Sequence, residues 1–183
     1  MVSHVAYAQA KDESPFNIYP FQWPVIEGVD LHQYRSQWER LTGFEYSGLH
    51  WKQFIAIYSN TGRGVFKHNY LNFLLQQEAE EEEEDDIDFT YKQYLPGTVI
   101  LKENYASEGG KPSDALTLTV MIKHKPGYDA DNGDWEYVQS DVTGKVLIQG
   151  SSQNPAVRAV CAECHRNIKD RDYIFATFFS RSQ

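Results

Sequence analysis

The apolar positions change period about halfway along the chain. In the first half they recur at helical spacing. Leu31, Tyr34, Trp38 and Leu41 share one face, so Asp30 is expected to cap a helix running to about Thr42, with Gly43 ending it. His50 to Tyr58 alternates loosely through Trp51, Phe54, Ile55 and Ile57 and predicts a strand. Asn60 to Gly64 reads as a turn. Val65 to Leu75 predicts a second helix with Phe66, Tyr70, Phe73 and Leu74 facing inward.

The second half alternates instead. Strands are predicted over Thr98–Asn104, after the Pro96-Gly97 break, and over Ala115–Lys125, where Leu116, Leu118, Val120 and Ile122 lie on one face. Further strands are expected over Trp135–Ser140, Lys145–Gln149 and the aromatic segment Tyr173–Phe179. Pro126 to Gly133 reads as a loop. Asn154 followed by Pro155 starts a short helix. The pattern gives an α+β fold: a mainly antiparallel β-sheet with a few packed helices, one of them near the C-terminus, and no internal repeat. Residues 11–29, with Pro15, Pro20 and Pro24 among aromatics, read as an irregular strap packed on the body. The expected organisation is an N-terminal strap over 1–29 and a single domain over 30–183.

Composition sharpens this. A chain of 183 residues is long enough for one substantial core. It has no apolar run long enough to span a bilayer. The net charge of −9 is concentrated: nine acids lie between Glu78 and Asp88, and the rest of the chain balances 17 acids with 17 bases. Residues 78–88 are expected to form a solvated loop held open by self-repulsion, with docking to a basic redox partner such as another cytochrome as the functional alternative. The run lacks the glycine and alternating ligands of a calcium loop. With no basic stripe, nucleic acid is disfavoured as a partner. Ala6-Tyr7-Ala8 and Ala8-Gln9-Ala10 resemble the tail of an export signal, so residues 1–10 read either as the remnant of a trimmed signal or as an accidental likeness.

The decisive chemistry is Cys161-Ala162-Glu163-Cys164-His165, which holds both cysteines of the chain. A zinc site would want a fourth ligand. A thioredoxin-type pair would open the helix of an early βαβ unit rather than close the chain. C-x-x-C-H is the attachment pattern of a c-type haem: two thiols form thioethers to the vinyl groups, and the adjacent histidine ligates the iron. The expected cofactor is therefore one haem c, covalent through Cys161 and Cys164, with His165 as metal ligand. Such attachment normally follows export, which points to the periplasm. No methionine follows the motif, and Met121 reads as strand packing. Histidines 4, 32, 50, 68 and 124 are the remaining sources of a sixth ligand. A five-coordinate haem is the favoured state. The strand-rich second half excludes the four-helix cytochromes c′, which also carry a C-terminal motif.

Three blocks in order now stand out: Leu95-Pro96-Gly97-Thr98-Val99-Ile100-Leu101-Lys102-Glu103, then Met121 through Gly133-Asp134-Trp135 to Tyr137, then Cys161 to His165 followed by Asp172-Tyr173-Ile174-Phe175. Together they resemble the cytochrome P-460 superfamily, which includes the cytochromes c′-beta, over roughly residues 50–179. The resemblance implies a mainly antiparallel fold, a periplasmic location, a homodimer and a five-coordinate haem. It also implies two branches. In one, a lysine cross-linked to the macrocycle accompanies oxidation of hydroxylamine and nitric oxide; Lys102 occupies that position. In the other, no cross-link forms, aromatic rings cap the pocket, and nitric oxide and carbon monoxide are bound. Phe54, Tyr58, Phe66 and Tyr70 are the distal-pocket candidates, and Trp135 is expected to be structural. The hydroxylamine-oxidising members carry a carboxylate shortly before the haem motif. Residues 142–160 contain none, and offer Lys145, Gln149, Gln153, Asn154 and Arg158 instead, the last as a partner for a propionate. That departure weighs against efficient hydroxylamine oxidation and keeps open a gas-binding protein or a plain electron carrier.

Overall fold

A computed structural model describes residues 20–82 and 89–180. His4, the export-signal likeness, Pro15 and Glu83 to Asp88 lie outside the described residues. Strands β1 (Glu39–Arg40), β2 (Glu45–Ser47), β3 (Gln53–Ser59), β4 (Val99–Glu108), β5 (Lys111–Lys123), β6 (Trp135–Asp141) and β7 (Val146–Gly150) form one sheet in the order β1-β3-β4-β5-β6-β7, with β2 also on β3. Every pairing is antiparallel. Helices α1 (Tyr34–Gln37) and α2 (Arg63–Glu81) precede β4. After β7 comes a helical run built of α3 (Pro155–Val157), a π segment (Arg158–Ala162) and α4 (Glu163–His165), which tightens to 3-10 geometry over Arg166–Arg171.

Both faces of this sheet are covered, and side-chain alternation sorts residues between two cores. On one side Phe21, Leu31, Tyr34, Tyr58, Leu101, Leu118, Val120 and Val138 pack together under the N-terminal segment. On the other, Ile55, Ile57, Phe66, Ile100, Met121, Trp135, Val157 and Ile174 pack beneath α2 and the C-terminal helical run. Residues 20–29 are irregular and held to the first face by the Gln22 N–H donated to Val142 O at 2.9 Å.

Three predicted elements differ. The helix expected over 30–42 exists only as Tyr34–Gln37, entered through a left-handed Gln33 (φ 59°). Trp38 turns extended, and Arg40 pairs with Tyr58 at the sheet edge, so strand pairing outweighs the helical spacing of Leu31, Tyr34, Trp38 and Leu41. The acidic run does not begin as a loop, because α2 carries Glu78, Glu80 and Glu81 in its last turn. The strand expected over 173–179 has no ladder. Ile174 and Ala176 are buried by alternation, and just beyond the segment the Ser180 N–H donates to Leu41 O at 2.9 Å.

Candidate functional site

The sheet floor of the site follows from register. Ile57, Lys102, Thr119 and Gln139 lie side by side across β3, β4, β5 and β6, with Ile100, Met121 and Tyr137 in the adjacent row. Over this floor stands the helical run. Asn154 Oδ1 caps it by accepting from Ala156 N–H at 3.0 Å, and Pro155 occupies the first turn. Cys161, Cys164 and His165 are spaced i, i+3 and i+4, which keeps them on one helical face. Fully buried Val157 and Ala162 anchor that run in the second core. Between floor and helix is a cavity of about 310 Å³ lined by Cys161, Cys164, His165, Lys102 and apolar side chains including Ile55, Ile57, Ile100 and Phe175. Its size falls in the range of cofactor sites.

The geometry fixes how His165 presents itself. Its Nδ1 lies 2.6 Å from the Tyr173 carbonyl oxygen. A carbonyl can only accept, so Nδ1 carries the proton and Nε2 keeps the lone pair that ligates metal. Burial pushes its pKa down to about 4, with the Tyr173 bond acting the other way, so the ring is neutral near neutral pH. Tyr137 and Phe175 meet the ring edge-on at 5.6 and 5.3 Å. Lys102 is half-buried, and the surface it exposes belongs to the cavity wall. Burial pushes its ammonium down to about 7, partly offset by Cys161 and Cys164. That shift favours the neutral amine more than in an exposed lysine. Burial pushes the Cys161 thiol up to about 11.

His50 also reaches the cavity, the one candidate sixth ligand among the described residues that does. Its Nδ1 is 2.7 Å from Ser47 Oγ, and burial with the charges of Lys102 and His165 pushes its pKa down to about 3. The other histidines are engaged elsewhere: His32 with the Trp23 ring, His68 with Thr90 O, His124 with Glu136. Met121 is buried strand packing, as expected, and also lines the cavity.

The four aromatic residues expected at the distal pocket lie away from this cavity. None of Phe54, Tyr58, Phe66 and Tyr70 lines the cavity. Phe54 and Tyr58 alternate onto the opposite face, where Tyr58 meets Tyr34 at 5.2 Å. Phe66 is sealed in the second core, and Tyr70 lies against Phe179 at 6.0 Å. The aromatic and apolar lining comes instead from Trp51, Tyr137, Phe175, Phe178, Ile55 and Ile57. Arg158 does not line the cavity either; its Nε donates to Ser152 O at 3.0 Å. Trp135 is fully buried and structural.

Two thiols, a histidine with its Nδ1 already satisfied, and apolar walls fit a large flat apolar iron cofactor. An antiparallel-sheet protein with such a site defines a haem-binding class. The chain belongs to the cytochrome P460 family, whose model matches residues 49–176, and membership implies a haem cofactor. No curated protein matches the chain. Among the described residues no helix is long and apolar enough to cross a membrane.

Proposed function

We propose that this protein is an exported, periplasmic c-type cytochrome with one haem. Cys161 and Cys164 hold the haem as thioethers, and His165 ligates its iron. When bound, the haem would supply an iron for binding or redox conversion of nitric oxide or hydroxylamine. The observation that carries this is the convergence of Cys161, Cys164, His165 and Lys102 on one apolar cavity. The chain's own contributions are of three kinds. The Tyr173 carbonyl holds the His165 proton on Nδ1. The apolar walls exclude water. Lys102 offers an amine whose bond to the macrocycle would put the protein in the hydroxylamine-oxidising branch. Electrons would leave to a partner cytochrome, and the working form is a homodimer.

A second reading has its own observation. Among the described residues, none that lines the cavity is Asp or Glu, so the site as described offers no carboxylate to take protons from hydroxylamine. This favours a non-enzymatic protein that binds nitric oxide and carbon monoxide.

One experiment tests both. The dithionite-reduced, haem-loaded protein and its Lys102→Arg variant are compared by absorption and intact mass. A strongly red-shifted Soret band that Lys102→Arg abolishes supports the cross-linked, redox-converting form. Identical high-spin spectra, with haem retained on the chain after acid extraction, support gas binding. Haem that extracts freely from the unaltered protein overturns the thioether assignment.

A further inference from the structure

Resting on the reading of His165 as iron ligand, a second group of residues acquires a role. Asp172 and Tyr173 are consecutive non-glycine residues in the left-handed region, with φ of 52° and 65°. L-residues rarely adopt that region, and two in a row persist only where the surroundings over-determine them.

Those surroundings are unusually complete. The Lys123 ammonium donates to both Asp172 carboxylate oxygens at 2.6 and 2.8 Å and to Gly133 O at 2.8 Å, using all three of its donors. The same carboxylate accepts from Tyr94 N–H at 2.7 Å. Trp135 Nε1 donates to Asp172 O at 2.9 Å, and Lys123 Nζ lies 5.0 Å over the Trp135 ring. Tyr173 N–H donates to Ile168 O at 3.1 Å. The Tyr173 ring also fills the space beside Gly133, where a Cβ would stand 2.5 Å from it. All this fixes a corner whose outward product is one atom, the Tyr173 carbonyl oxygen on His165 Nδ1. None of Lys123, Asp172 and Trp135 lines the cavity, so they act on the site only through that corner.

We propose that the buried Lys123–Asp172 pair, braced by Trp135, is the positioning device for the iron-ligating histidine. A buried ion pair is a poor source of net stability, because desolvation offsets its attraction, but it tolerates few geometries. Here the geometry it enforces decides where the Nδ1 acceptor sits. That acceptor sets the ring's orientation and the basicity of its ligating nitrogen. Lys123 and Asp172 are positioning residues, and their loss weakens the donation of His165 to the iron.

The test uses the haem-loaded protein. Resonance Raman of the ferrous form reads the iron–histidine stretching band, and spectroelectrochemistry reads the reduction potential. Asp172→Asn and Lys123→Met are each expected to lower and broaden the band and to raise the potential, with haem still covalently held. The paired variant, Lys123→Met with Asp172→Asn, leaves no uncompensated buried charge and keeps the test alive where a single variant fails to fold. It is expected to move band and potential in the same sense. A normal band in the unaltered protein that no folded variant moves overturns this proposal alone. A paired variant that cannot fold also overturns it, by making the pair a requirement of the fold. Absence of an iron–histidine band in an unaltered protein whose ferrous haem is five-coordinate and high-spin overturns the His165 reading and this proposal with it.

Discussion

Lys102 and Glu103 are neighbours in β4, and the sheet sends them to opposite cores. Lys102 enters the cavity. Glu103, fully buried on the other face, accepts from the Tyr34 hydroxyl, from Arg35 Nε at 2.5 Å and from the Tyr105 hydroxyl at 2.7 Å. Arg35 also donates to the Tyr105 hydroxyl at 2.7 Å, which closes the network. Removing the cation alone leaves a buried carboxylate held, among the described residues, by the neutral hydroxyls of Tyr34 and Tyr105. Arg35→Met is therefore expected to cost about 3–5 kcal/mol, and Arg35→Met with Glu103→Gln distinctly less than the sum of the two single changes. Urea midpoints of the four proteins check it. An Arg35→Met midpoint equal to that of the unaltered protein would mean that other groups already neutralise Glu103.

Elements position the site by period. The i, i+3, i+4 spacing of Cys161, Cys164 and His165 was legible because a helix needs only local sequence to align them. The parity of β3 was not legible. Gln53-Phe54-Ile55-Ala56-Ile57-Tyr58-Ser59 is apolar on both faces, since the sheet is buried on both sides, so nothing local says which set meets the cavity. The aromatic set was the natural choice for a ligand pocket, and the aliphatic set lines it. Capping at the helical run is a local matter with a local price in stability: Asn154→Ala is expected to cost about 1 kcal/mol by thermal or urea unfolding. A longer-range tie belongs to α2. Arg63 donates to Arg40 O at 2.6 Å and Ser180 O at 3.1 Å, and its guanidinium lies 4.8 Å over the Phe179 ring. Arg63→Ala is expected to raise the exchange rate of the Ser180 amide by roughly tenfold or more, the loss of a charged hydrogen bond, while amides of β4 and β5 keep theirs. Uniform acceleration across the sheet would instead mean global destabilisation.

At the scale of the whole molecule, one sheet separates two cores, and buried tyrosines sit in both. Burial and, for Tyr34 and Tyr105, the neighbouring Glu103 raise the phenol pKa values of Tyr34 and Tyr105 on one side, and burial with Asp172 does so for Tyr94 on the other. Each phenol is neutral when protonated, and its pKa is higher folded than unfolded. Above the ordinary value of 10.0 the unfolded chain loses these protons while the folded one keeps them. By linkage, stability is unaffected by these groups below pH 10 and falls as pH rises beyond it. Urea midpoints should drop steeply above pH 10, and phenolate absorbance should lag until the chain unfolds. Free titration of all tyrosines near pH 10 in a folded protein would contradict this burial.

The sequence by itself determined what depends on near neighbours. It determined the antiparallel strands of the second half, the capped helix at Asn154-Pro155, the thiol and imidazole face of Cys161 to His165, and the family. Tertiary structure decided what depends on pairing and sidedness. It drew Arg40 into the sheet against helical spacing, and left residues 174–180 without a ladder. It turned Ile55 and Ile57 rather than Phe54 and Tyr58 to the cavity, and brought His50 and the Tyr173 carbonyl to the same site. The physical reason is that periodicity reports which residues share a face, whereas the identity of that face is set by partners far away in sequence.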